Sequence, residues 1–285
     1  MDRKRLIGKI LMHNGWAIQS KGYSQFYPIG RPEILTQFYD EWQVDEILLV
    51  EKSHSPASQQ GVIEVIRRVV DKCRTPLTVC GGITDVATAL QYVENGADRV
   101  AVNAGFLHNP VLACQLKDVL GRQAVVAYVD FIEVEGQFWV YDYQTRNKTE
   151  LAVQDYCQRL IDEGVGEILL HSVNRDGSKK GYDVPFYQGI SQQLSVPIIA
   201  SGGYGRPDHI EALMSSNVGA FSIGNSLAFT EHAASQIKGY LRSDEIRRSH
   251  IHYNRSQLDE AGRLIKKDDN DLDDMRFKKR NAIWM

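Results

Sequence analysis

Four short glycine-bearing segments carry the first chemical signal in this chain. Cys80-Gly81-Gly82-Ile83-Thr84 and Asn103-Ala104-Gly105 lie in its first half, and Ser201-Gly202-Gly203-Tyr204-Gly205 and Ile223-Gly224-Asn225-Ser226 in its second. Glycine lets backbone N–H groups approach an anion with no Cβ in the way, and a helix that follows adds its positive N-terminal end. A lone Gly-Gly could be a tight turn, but two pairs in matching positions point to two anion sites. Such sites suit a ligand that carries two phosphates. Among groups able to move protons, Asp130 ends the apolar run Ala124–Val129, and Glu51 and His171-Ser172 end two others. Near the end of the first run the corresponding residue is Leu11, whose side chain cannot transfer a proton.

These residues need a scaffold that brings the ends of many strands together. Glu46–Leu49 recurs as Glu167–Leu170 and Pro76–Ile83 recurs as Pro197–Tyr204, both at the same separation. Apolar β-branched runs, each followed by a helical pattern, describe a duplicated (βα)4 unit, and two such units close into an eight-stranded parallel barrel. The runs are Leu6–Met12, Ile47–Val50, Leu77–Cys80, Val100–Val102, Ala124–Val129, Ile168–Leu170, Ile198–Ala200 and Phe221–Ile223. Amphipathic stretches such as Gln59–Cys73, Val86–Asn95 and Val153–Glu163 lie between them. The fold class is therefore α/β, a (βα)8 TIM barrel with an internal half-barrel repeat over residues 1–241. A charged C-terminal extension follows over 242–285, helical or disordered. Two connections are long. His13 to Pro32 is a candidate mobile lid, and Ile132–Tyr141 alternates around Gly136 as a β-hairpin after the fifth strand.

Composition narrows the partners. A net charge of -3 argues against nucleic acid, and with neither a signal-peptide pattern nor a run long enough to span a bilayer, the expectation is a cytoplasmic protein without a membrane partner. Cys73, Cys80, Cys114 and Cys157 lack disulfide or zinc spacing and read as reduced thiols; neither a metal nor a cofactor is expected.

Three stretches, Gly96–Asn103, Asn174–Asp183 and Ala200–Gly205, carry a family resemblance. Over about residues 3–240 the chain resembles the cyclase subunit of imidazole glycerol phosphate synthase. The resemblance implies a glutaminase partner of the class I amidotransferase type, ammonia passed through the barrel, and a bisphosphate ribosyl substrate. It implies a general acid or base at Asp130, and ligand contacts at Gly81, Gly82, Asn103, Asp176, Gly177, Ser201, Gly202, Gly203, Gly224 and Asn225. The family carries a second catalytic aspartate at the position of Leu11. Gln19 stands where a lysine is expected, with Lys21 nearby, Glu51 stands for an aspartate, and His171 and Asn174 for a threonine and an aspartate. His13 and Glu51 are the candidates to replace the missing group, and His171 reads as a ligand contact or a satisfied barrel-core histidine.

At the other end of the barrel, the amino ends of strands one, two, four and six bring together Arg5, Glu46, Arg99 and Glu167. Such a ring can simply plug the floor with paired charges. The resemblance makes it an ammonia gate, with Asp98 facing the glutaminase. A preserved intake below an altered mouth is similar to a branch of the family associated with acetamidino-sugar and lipopolysaccharide biosynthesis. The first expectation is accordingly an ammonia-channelling subunit that serves sugar amidation. Because no ATP-binding motif is present, a separate ATP-using synthetase would activate the sugar. The alternatives are an active cyclase subunit and a stand-alone barrel isomerase for a phosphorylated sugar.

Overall fold

The computed structural model describes residues 3–53, 56–241, 243–251 and 253–265. The chain opens with β1 (Arg5–His13) and turns into the hairpin β2 (Trp16–Lys21) and β3 (Gln25–Gly30). It continues through α1 (Pro32–Glu41), β4 (Glu46–Glu51), α2 (Pro56–Val70), β5 (Leu77–Cys80), α3 (Val86–Glu94), β6 (Arg99–Val102), α4 (Ala104–His108) and α5 (Leu112–Leu120). The second half repeats the plan. It runs through β7 (Val125–Val134), the hairpin strands β8 (Gln137–Asp142) and β9 (Asn147–Ala152), α6 (Val153–Asp162), β10 (Glu167–Ser172), α7 (Val184–Gln193), β11 (Ile198–Ser201), α8 (Asp208–Glu211), β12 (Val218–Ile223) and α9 (Ala233–Leu241).

The strands β1, β4, β5, β6, β7, β10, β11 and β12 pair in parallel in that order, and β12 returns to β1 to close the barrel. Side chains alternate along each strand, so one set faces the lumen and the other the helices. The inward set Ile7, Leu48, Val50, Cys80, Ala101, Val126, Tyr128, Leu169, Ile199 and Ala220 forms an inner core, with Leu11 packed against it. The larger outer core seals strands to helices through residues such as Ile47, Ile66, Leu116, Leu160 and Phe221. Helix starts follow local chemistry. Asp85 accepts a hydrogen bond from Thr88 N at 2.8 Å, Asp183 accepts one from Phe186 N at 3.1 Å, and Pro32 begins α1, where the missing N–H costs nothing.

The hairpin after the fifth barrel strand is present as β7 and β8, turning at Gly136 with φ +77°. The stretch from His13 to Pro32, expected as a candidate mobile lid, forms a second hairpin, whose β2 pairs antiparallel with β1 from Leu11 to His13. β1 is longer than the barrel needs, and its overhang supplies the edge on which the hairpin builds. Beyond α9, the described part of the extension packs on the barrel. Ile246 and Leu258 are buried, Ile246 forms a parallel bridge with Lys4, and Ser249 bonds Ser235 across 3.1 Å. The remainder of the extension, 266–285, lies outside the described residues.

Candidate active site

The mouth of the barrel is built where the eight parallel strands end. Asp130, near the end of the barrel portion of β7, is 1% exposed. Its Oδ1 accepts from the Tyr23 hydroxyl at 2.6 Å and its Oδ2 from Asn103 Nδ2 at 2.8 Å. Burial pushes its pKa above the ordinary carboxylate value, while His171 and these two hydrogen bonds pull the other way. Leu11 lines the mouth and offers no polar atom. Glu51 is buried at the end of β4, its Oε1 accepting from Ser53 N at 2.8 Å.

One residue pair below Leu11 on the same inward face of β1 stands Lys9. Its Nζ lies 3.3 Å from His171 Nδ1, which is also 3.0 Å from Ser201 Oγ. The other ring nitrogen of His171 lies 3.5 Å from Asp176 Oδ1, and Asp176 Oδ2 accepts from Ser20 Oγ at 2.6 Å and Tyr23 N at 3.2 Å. Burial works against the Asp176 carboxylate, yet His171, Lys9 and Ser20 hold its pKa well below the usual range. Burial also pulls the Lys9 amine down, opposed by the charges of Asp176 and Asp130.

The tip of the β2–β3 hairpin closes over this layer. Tyr23 stacks on His171 with ring centroids 5.3 Å apart and meets Tyr141 edge-on at 6.3 Å. Asn225 Nδ2 donates to Ser20 O at 2.6 Å, and Gly22 N donates to Asp176 O at 3.1 Å. Tyr23 thereby divides the mouth. The larger cavity, about 510 Å³, is lined by Leu11, Glu51, Gly81, Gly82, Asn103, Asp130 and Tyr23, with Lys52 and Arg146 supplying positive charge. The smaller, about 60 Å³, is lined by Lys9, His171, Asp176, Gly177, Gly202, Gly203, Gly224 and Asn225 as well as Tyr23. The two glycine-loop pairs thus open into separate spaces, in the same molecular face.

The glycines also have steric work. A Cβ on Gly81 would come within 2.5 Å of Glu51 O, and one on Gly202 within 2.7 Å of Ser172 O, with φ at +124° and +90°. Packing of neighbouring backbones requires these glycines with or without an anion. Several other sequence candidates stand outside the central layer. His13 is exposed and reaches Ser53 Oγ at 2.8 Å, Lys21 is exposed, Gln19 is half-buried, and Asn174 Oδ1 accepts from Glu133 N at 2.7 Å. Sequence reasoning missed Lys9, Tyr23 and Tyr128. Only Lys9 had a local signal, a lysine at an inward position of an apolar strand run.

At the floor, Arg5, Glu46, Arg99 and Glu167 form one ring. Arg5 bonds Glu46 at 2.7 Å and also Glu167, and Arg99 meets Glu167 at 2.7 Å and Glu46 at 3.5 Å. Thr78 Oγ1 donates to Glu46 Oε1 at 2.6 Å. Burial opposes the charge on Arg5, but Glu167 and Glu46 outweigh it and raise the guanidinium pKa. Asp98, exposed beside the ring, accepts from Leu77 N at 2.7 Å and so also pins the start of β5. Among the described residues, no cluster of three or more His, Cys, Asp or Glu is placed to hold a metal, and no helix is long and apolar enough to cross a membrane.

The histidine biosynthesis protein family matches residues 5–233. The chain is 31% identical over 242 residues to the imidazole glycerol phosphate synthase subunit HisF of Thermotoga sp. (strain RQ2), covering 85% of this chain and 96% of that one. It is 32% identical over 247 residues to the subunit HisF of Lysinibacillus sphaericus (strain C3-41), covering 85% and 98%. A putative imidazole glycerol phosphate synthase subunit hisF2 of Vibrio vulnificus (strain YJ016) is 31% identical over 267 residues, covering 92% of this chain and 98% of that one.

Proposed function

Because the chain belongs to the histidine biosynthesis protein family, of the kind represented by the HisF subunit of imidazole glycerol phosphate synthase, we propose that it is the cyclase-type subunit of an ammonia-using synthase. A glutaminase docks at the floor beside Asp98, ammonia enters past Arg5, Glu46, Arg99 and Glu167, and the reaction takes place at the mouth. The observation that carries this reading is the placement of a closed ring of paired charges at one end of an apolar lumen and a buried carboxylate, Asp130, at the other. An apolar lumen favours neutral ammonia over ammonium, since a bare cation there would lose its hydration without a partner. The phosphate-type loops hold the ends of the substrate, and Asp130 exchanges a proton with it. The raised pKa suits an acid and base that must change state during turnover.

A second reading, the one the sequence put first, is favoured by Leu11. An apolar side chain where proton transfer would help fits a conduit that passes ammonia to a separate ATP-using synthetase, which amidates a surface-polysaccharide sugar. The names of the relatives above all point to the cyclase, which is why it takes precedence. Purified protein given the bisphosphate ribosyl substrate with excess ammonium at alkaline pH distinguishes them without any glutaminase. The cyclase reading expects sustained product formation. A folded protein that forms no product overturns it in favour of the conduit.

A further inference from the structure

Lys9 has no part in the function proposed above, and its setting is unusual for a lysine. It is half-buried in the barrel lumen, and among the described residues its Nζ has no carboxylate oxygen within 4.0 Å. A cation kept only to balance Asp130 and Asp176 would be expected to touch one of them. Instead the amine meets a ring nitrogen, His171 Nδ1 at 3.3 Å, and among the described residues this is its one side-chain hydrogen-bond partner. Ser222, 2% exposed on the same wall, has a hydroxyl oxygen with no hydrogen-bond partner among the described residues. Both residues line the smaller cavity, together with the Gly202-Gly203 and Gly224-Asn225 loops and Lys179.

We propose that Lys9 is a nucleophilic amine that forms an imine with the open-chain carbonyl of a phosphorylated sugar. A primary amine withdrawn from water is the ordinary form of a Schiff-base lysine, and burial favours its neutral, reactive state. The groups facing it are His171 on β10, Tyr128 and Asp130 on β7, Cys80 on β5, Asp176 after β10 and Tyr23 of the hairpin. The glycine loops beside it suit the phosphate, and the unpartnered Ser222 hydroxyl can donate to the carbonyl oxygen. The nitrogen adds to the carbonyl carbon, and the two protons it sheds pass by way of His171 to the oxygen, which leaves as water. Nothing is oxidised or reduced. A cavity of about 60 Å³ holds only the reacting end, so Tyr23 and Ser20 must lift for the sugar to enter. If the proposed function holds, ammonia rising through the lumen displaces Lys9 from this imine, leaving the imine nitrogen on the sugar and the lysine as the free amine.

The test uses the full chain and ribulose 5-phosphate, whose phosphorylated terminal oxygen keeps its ketone open. After reduction with borohydride, peptide mass spectrometry should find one adduct per chain, heavier by the sugar phosphate less one oxygen atom and located on Lys9. Lys9→Arg, which keeps the charge, should lose it. An adduct spread over exposed amines such as Lys21 and Lys179, or no adduct at all, overturns the proposal. Because mapping on the natural chain decides the matter, a variant that failed to fold would not obscure it. Neither ammonia nor a glutaminase is present in this experiment, so its outcome and that of the cyclase assay are independent.

Discussion

At the residue scale, two buried aspartates that both feel the charge of His171 are tuned in opposite directions. Asp130 is raised by burial, so ionising it in the native state is unfavourable relative to the unfolded chain. Asp130→Asn should therefore lower ammonium-dependent turnover by about 10²–10⁴-fold while leaving the melting temperature unchanged or higher. Turnover within threefold of the natural chain, roughly, would remove Asp130 from the chemistry. Asp176 is lowered, its native carboxylate held by His171, Lys9 and Ser20. Its folded pKa lies below the unfolded value, so its contribution is complete above about pH 4 and is lost as the pH falls below that. Thermal melts from about pH 5 to about pH 3 should fall more steeply for the natural chain than for Asp176→Asn, which should itself cost about 2 kcal/mol near neutrality. The thiols follow the same logic. Burial raises Cys73 to about 11, Cys157 to about 12 and Cys80 further still, and half-buried Cys114, the most accessible of the four thiols, is expected to react first with a maleimide.

At the scale of elements, the base of the β2–β3 hairpin packs into the core through Ala17 and Ile29, whereas its tip is held down by a few polar contacts. Its tip rests on Gly177, where a Cβ would lie 2.7 Å from Ser20 O and the backbone has φ +64°. Gly177→Ala should loosen the hairpin and speed proteolytic cleavage within residues 16–30, with a small change in melting temperature. Gly166→Ala is the contrast, because its Cβ would run into the backbone of Arg122 beneath the barrel wall. That substitution should destabilise the whole fold without exposing the hairpin selectively. Equal protease sensitivity in both variants would mean that the hairpin does not open as a unit. The alternation around Gly136 made the β7–β8 hairpin legible in the sequence, since one face packs and the other meets solvent. The lid hairpin was less legible because much of β3 is exposed, with burial that does not alternate, and its pairing depends on the overhang of β1.

At the scale of the whole molecule, the floor ring and the mouth are separate devices joined by the lumen. Arg5→Met removes a cation shared by Glu46 and Glu167, and should cost on the order of 3 kcal/mol by leaving two buried carboxylates with Arg99 alone. On the proposed function, glutamine-dependent turnover in the complex should fall while turnover with added ammonium persists. A parallel loss of both would locate the defect in the fold rather than in the gate. The extension is part of the same body, and ending the chain after Leu241 removes buried Ile246 and Leu258 and the Ser249–Ser235 contact. That truncation should lower stability by about 3 kcal/mol or more, seen as an earlier urea midpoint.

The sequence by itself determined the barrel, its repeat and the ends of its strands, because the apolar runs, buried on both faces, and the amphipathic stretches between them are local properties written into consecutive residues. It also placed Arg5, Glu46, Arg99 and Glu167 at one end of the barrel and Asp130 and the glycine loops at the other, since position along a strand fixes height in the lumen. Only the tertiary structure decided which inward side chains meet. Lys9 and His171 lie far apart in the chain, and their contact depends on the closure and stagger of the barrel, which set what each strand faces across the lumen. The hairpin that divides the mouth was decided at the same level, by hydrogen bonds from Ser20, Gly22 and Tyr23 to a loop more than half the chain away.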